Sequence, residues 1–266
     1  MNDTLPEEPE FLISYQDSAG GIPVLLIHGF PLASSMWELQ IDDLADVGRL
    51  IAPDLRGHGN STATPPPYTI EQLAIDCVNL LDDIGINRPF VVAGLSMGGY
   101  VAFEVFRQYP GMVAGMILAG TKATPDNEEG KKGRDAAANL VREQGISALV
   151  EQMLPKLMAP TTTTENPELV EFVRDMMLET SVEGALGAIA AMRERPDSTP
   201  TLADIDVPTL IIHGAADQII PVSEAEAMHQ GIADSQLVII PDAGHLMNLE
   251  QPELFNDAVR EFLESL

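Results

Sequence analysis

Phe90-Val91-Val92-Ala93-Gly94-Leu95-Ser96-Met97-Gly98-Gly99-Tyr100 is the stretch on which the fold turns. Its first five residues are a short apolar run, bounded by glycine, that reads as a buried strand. From Gly98 to about residue 109 the apolar positions recur at helical spacing, until Tyr109-Pro110-Gly111 ends the pattern. Only Leu95, Ser96 and Met97 separate the two elements. A chain that turns so sharply forces the serine into a strained conformation, and glycines on either side remove Cβ atoms that would clash. Gly94 to Gly98 thus spell G-x-S-x-G in a strand-turn-helix setting, with the helix N-terminus aimed at Ser96.

Outward from this stretch, short apolar runs alternate with longer helical ones, the pattern of a parallel sheet with crossover helices. Strands are expected at Ile22-Pro23-Val24-Leu25-Leu26-Ile27, 49–52, 90–94, 113–118, 207–212 and 236–240. Helical spacing covers 37–47, a segment N-capped by Thr69 after Pro65-Pro66-Pro67, 98–109 and 252–263. From 122 to 200 the strands vanish, helical segments dominate, and Pro160-Thr161-Thr162-Thr163-Thr164 reads as a loop. The expected organisation is a core of residues 1–121 and 201–266 interrupted by a helical cap at 122–200.

A serine hydroxyl is a poor nucleophile until a neighbouring base takes its proton. Of the five histidines, His245 follows the last strand directly, at the carboxyl edge where active sites of open α/β sheets collect. His28, His58 and His213 each precede a glycine near a strand or turn, and His229 sits in a helical segment. Asp217 lies just past the strand ending at Ile212, whereas Asp204 and Asp206 precede that strand and Asp242 is too near His245 in sequence. An ionised Asp217 would fix the imidazole tautomer of His245 and stabilise its charged form. An oxyanion formed by attack needs two donors, expected from the backbone N–H groups of Met97 and Phe30. His28, Gly29, Gly94 and Gly98 are expected to shape these turns, and Asp54 to Ser61 reads as a tight architectural loop. Met153, Met158, Met176, Met177 and Met192 suit either an adaptable pocket or plain core.

The chain carries 14 Lys and Arg against 41 Asp and Glu, a formal charge of −27 over 266 residues. Such a surface repels phosphates and anionic lipid, so neither nucleic acid nor membrane is an expected partner. Either salt adaptation or ordinary solubility accounts for it. A hydrophobic content of 45% supplies a sizeable core, and no apolar stretch reaches the ~20 residues a membrane helix needs. Cys77 is the single cysteine, which excludes an internal disulfide and a multi-cysteine metal site. The acidic start shows no secretory signal, and a cytoplasmic location is expected.

His28-Gly29-Phe30, Asp54 to Ser61, Gly94 to Gly99, Asp217 and Gly244-His245, taken in order, resemble the α/β-hydrolase superfamily from about residue 11 to the end. The resemblance implies an α/β fold with a mostly parallel, eight-stranded sheet flanked by helices and a helical cap after the sixth strand. It also implies a Ser96, Asp217, His245 triad with Phe30 and Met97 as oxyanion donors, and neither cofactor nor metal. The serine followed by Met-Gly-Gly looks like small cytosolic carboxylesterases and 3-oxoadipate enol-lactonases. The expected partner is therefore a small ester or lactone, taken by a monomer or homodimer. His28-Gly29-Phe30-Pro31-Leu32 is also similar to cofactor-free haloperoxidases and perhydrolases, which commonly have phenylalanine where this chain has Leu95. A C–C bond hydrolase on the same triad and a silent binding module that keeps the fold also fit the pattern.

Overall fold

The computed structural model describes residues 11–266. Seven strands form one sheet: β1 (Tyr15–Asp17), β2 (Ile22–Ile27), β3 (Gly48–Pro53), β4 (Phe90–Leu95), β5 (Val113–Ala119), β6 (Thr209–Gly214) and β7 (Ser235–Ile240). Their order is β1-β3-β2-β4-β5-β6-β7, with β1 antiparallel to β3 and all other neighbours parallel. The helices are α1 (Glu38–Leu44), α2 (Ile70–Asp83), α3 (Met97–Gln108), α4 (Glu128–Gln144), α5 (Ile146–Leu157), α6 (Pro160–Glu165), α7 (Pro167–Leu178), α8 (Val182–Arg193), α9 (Val222–Gly231), α10 (Met247–Glu250) and α11 (Pro252–Glu264).

The alternation of side chains along each strand divides the core into two layers. Leu25, Ile27, Ile51, Val92, Met116, Leu118 and Ile211 face α2, α3 and α9. Val24, Leu26, Leu50, Val91, Ala93, Ile117, Leu210 and Ile212 face α1 and α11, where Trp37 and Phe255 are almost wholly buried. Each such side chain contributes roughly 1.5–3 kcal/mol. Thr69 caps α2 by accepting from the Gln72 N–H at 3.0 Å, as the sequence suggests.

Two expectations need correction. Among the described residues the sheet has seven strands where eight were expected, so the helices α4 to α8 follow the fifth strand and not the sixth. The apolar runs account for β2 to β7, and the polar tripeptide β1 is recognisable only by its pairing of Tyr15 with Pro53. Residues 160–164 belong to helix α6 and are not a loop. Pro160 fits the first turn, where its missing N–H costs nothing. The hydroxyls of Thr163 and Thr164 donate back to the carbonyls of Ala159 and Pro160, so these polar side chains are satisfied within the helix.

Parallel pairing matters most for where strands end. Ile27 is level with Gly94, Ala119 with Leu95 and Ile212, and Gly214 with Ile240. Five strands therefore deliver their following loops to one edge of the sheet, at a point where the order of connection reverses between β2 and β4. No helix among the described residues is long and apolar enough to cross a membrane.

Candidate active site

Ser96 sits between β4 and α3 with φ 55° and ψ −112°, a conformation that costs about 1–3 kcal/mol for a residue with a Cβ. The surroundings hold it there. Its N–H donates to the Ala119 carbonyl at 2.9 Å and its carbonyl accepts from the Thr121 hydroxyl at 2.8 Å. A methyl group on Gly94 would collide with the Gly98 carbonyl, and one on Gly98 with the Ile27 carbonyl, so both positions admit only glycine. Ser96 alone in this buried stretch reaches solvent.

The loop after β2 lies directly against it. A Cβ on Gly29 would stand 3.5 Å from the Ser96 Cβ. The Phe30 N–H has no protein acceptor among the described residues, and Met97 is the first residue of α3, where helix N–H groups lack intrahelical partners. His28 faces away: its Nδ1 contacts the Gly29 carbonyl at 2.8 Å and its Nε2 accepts the Leu55 N–H at 2.9 Å. It packs 5.1 Å from the His58 ring. Burial lowers the pKa of both, that of His58 to about 3, so this pair is neutral.

On the other side, the loops after β6 and β7 are laced together by the Ala215 N–H to the Ile240 carbonyl and the Ala216 N–H to the Ala243 carbonyl. Asp217 and His245 meet there, with Asp217 Oδ2 2.7 Å from His245 Nδ1. The other carboxylate oxygen accepts the Ile219 and Ile220 N–H groups at 2.8 and 3.0 Å. Burial pushes the Asp217 carboxyl up, but the adjacent His245, its hydrogen bond and the two amides outweigh this and leave it below the usual value. With Nδ1 facing a carboxylate, the basic lone pair of neutral His245 falls on Nε2. His213, whose Nε2 contacts the Ile220 carbonyl at 2.9 Å, is buried beside Asp217 and held neutral by desolvation.

Ser96, His245 and Phe30 line one cavity of about 210 Å³, completed by Tyr100, Lys122, Asp126, Arg134 and apolar side chains that include Met153 and Met192. Ser96 and His245 make no direct hydrogen bond here, a contact that commonly tightens only around substrate. A larger groove of about 580 Å³ between α4 and α5 shares Phe30, Arg134 and Met153 with the cavity. Of the five methionines singled out, Met158, Met176 and Met177 are core. Asp54 and Arg56 lie away from the cavity. Asp54 accepts the Ser34 and Asn60 N–H groups, and Arg56 makes a bidentate pair with Asp76. His229 is exposed on α9 against Ser235.

The pattern of strands and glycines carries no information about Tyr100, Lys122, Asp126, Arg134 or Glu250. Glu250 bonds the Gly244 N–H at 2.8 Å with one oxygen, and the Ala159 N–H and Thr162 hydroxyl at 2.8 and 2.7 Å with the other. It so ties the His245 loop to the segment after α5. A carboxylate five residues beyond His245 was a usable signal, as was Lys122 at the carboxyl edge just past β5.

A sharp serine turn and a histidine-carboxylate pair converge on the carboxyl edge of a mostly parallel sheet, the architecture of an α/β-hydrolase fold. The chain belongs to this family: the profile described as "Alpha/beta hydrolase family" matches residues 24–258. It is 33% identical to 3-oxoadipate enol-lactonase 2 of Acinetobacter baylyi over 86% of this chain and 84% of that protein. A thermophilic esterase from Thermogutta terrifontis, solved with malate bound, superposes with a TM-score of 0.93 at 44% identity, covering 95% of this chain and 93% of that one. The enol-lactonase from Burkholderia xenovorans LB400 gives 0.87 at 29% identity, with 95% and 96% covered.

Proposed function

We propose that this protein is a serine hydrolase cleaving carboxylic esters of small molecules through an acyl-enzyme on Ser96. His245 Nε2 takes the Ser96 proton as Oγ attacks the carbonyl carbon, and Asp217 holds the imidazole and stabilises its charge. The tetrahedral oxyanion accepts from the N–H groups of Phe30 and Met97, helped by the positive end of α3. His245 then protonates the leaving alcohol. Water, deprotonated by His245, attacks the acyl carbonyl and releases the acid and the free serine. The observation that carries this reading is the 2.7 Å contact of His245 with a buried carboxylate, in the same cavity as a serine held at φ 55°.

Helices α4 to α8 act as the cap in this reading, since Arg134, Met153 and Met192 all come from them. The esterase and enol-lactonase relatives support ester-type carbonyl chemistry. The lactone is the second substrate form the same steps would open, and the 33% identity to an enol-lactonase favours it over C–C bond cleavage.

Hydrolysis of a p-nitrophenyl ester series from acetyl to decanoyl, by the native protein and by Ser96→Ala, tests the reading. Turnover is expected to peak at short chains and to vanish in the variant. Hydrolysis retained by Ser96→Ala would move the nucleophile elsewhere.

A further inference from the structure

We infer that the cavity at Ser96 selects substrates carrying a carboxylate besides the scissile ester or lactone, held by Lys122 and Arg134. The inference rests on the hydrolase reading and names the substrate class that the same site takes.

The first observation is a reversal of charge. Acids outnumber bases 41 to 14 in the chain, yet the ionic lining of this cavity, His245 apart, is Lys122 and Arg134 against Asp126 alone. Asp126 is already engaged on both sides, 2.9 Å from Arg134 Nε and 2.9 Å from Arg195 Nη1. Arg195 is in turn fixed by the Met192 and Thr124 carbonyls and by the Tyr100 ring, 4.2 Å from its guanidinium carbon. These contacts anchor the cluster without neutralising it. Glu224, held by Thr124 on the flank, is the other acid whose field reaches Lys122, and the group stays positive with it included.

The second observation is that the cations facing the cavity are left open. Lys122 is half-buried and has no ion pair or hydrogen bond among the described residues. Desolvation, and then the charge of Arg195, push its ammonium below the usual lysine range. Arg134 uses only Nε on Asp126, leaving its terminal amino groups without a partner among the described residues. A half-buried ammonium without a direct ion-pair partner is disfavoured by desolvation, and a guanidinium edge presents the fork that matches a carboxylate. An anion bound between them relieves the first and fills the second. The remaining walls, Met153, Leu157, Met192 and Ile219 among them, are apolar, and the cavity is small. Together they describe a compact ester with a charged end, such as a half-ester of a short dicarboxylic acid.

The test is binding without turnover. Monomethyl succinate and dimethyl succinate are titrated calorimetrically into Ser96→Ala, and into the same variant carrying Lys122→Met or Lys122→Arg. The half-ester is expected to bind at least tenfold more tightly than the diester. Lys122→Met should remove most of that preference, and Lys122→Arg should keep most of it. Equal affinity for the two esters, no binding of either, or a preference undiminished in Lys122→Met overturns the inference. If Lys122→Met does not fold, the comparison of the two esters on Ser96→Ala decides alone. Turnover of both esters by the native protein is followed separately. Half-ester binding without hydrolysis of either compound would remove the esterase reading and leave the anion site standing, whereas hydrolysis of both at equal efficiency would do the reverse.

Discussion

Asp217 holds His245 through one carboxylate oxygen at 2.7 Å while two backbone amides from its own loop hold the other. The orientation of the imidazole is thus set by the backbone between β6 and α9. Asp217→Asn keeps the shape but offers the wrong partner to Nδ1. It is expected to lower kcat on p-nitrophenyl acetate by on the order of 10³–10⁴ with little change in KM. Steady-state kinetics check this, and a loss under tenfold would mean that another group orients His245.

Gly94 packs its Cα against the Gly98 carbonyl, with no room for a methyl. Gly94→Ala should cost about 3 kcal/mol or more, because the obstacle is the backbone of the first turn of α3 and cannot rotate aside. Urea unfolding of the native and variant proteins measures it.

Glu250 bridges the His245 loop and the start of α6 through three accepted hydrogen bonds. Burial raises its carboxyl pKa, so the folded protein holds this proton to a higher pH than a free glutamate would. Glu250→Ala leaves the Gly244 and Ala159 amides without acceptors, and a stability loss of about 2–3 kcal/mol is expected. A drop in kcat of about tenfold should accompany it as the His245 loop relaxes. Thermal unfolding and kinetics on one preparation read both.

His58 is buried and titrates near 3 in the folded protein, first because of desolvation and then because of His28 beside it. The unfolded chain takes up its proton near the ordinary value of ~6.5. Stability from this group is therefore complete above that value and declines as pH falls through the interval down to about 3. The slope is at most ~1.4 kcal/mol per pH unit. Urea unfolding at pH 7, 6 and 5 should show a steeper decline in the native protein than in His58→Gln.

Legibility of the sequence followed the physics of each element. Strands β2 to β7 were readable because parallel strands of a covered sheet are nearly continuous apolar runs, even at the half-exposed edge strand β7, and Ser96 because its turn admits only glycine at 94 and 98. Asp217 and His245 were readable from their position after strands, which fixes the edge of the sheet they occupy. β1 was not, since Tyr15, Gln16 and Asp17 form no apolar run. Arg134 was not, because its place at the cavity depends on how α4 and α5 fold back over the sheet edge. No local pattern encodes that return.

The segment ending α5 does more than roof the cavity. The Leu157 carbonyl accepts the Leu246 N–H, the Met158 carbonyl accepts Gln218 Nε2, and the Ala159 N–H donates to Glu250. Three consecutive residues thus grip both loops that present Asp217 and His245. Exchanging this helical insert for that of a relative, an obvious route to new substrates, would sever those grips at once. A working chimera has to leave residues 157–159 with their host and trade only what lies above them.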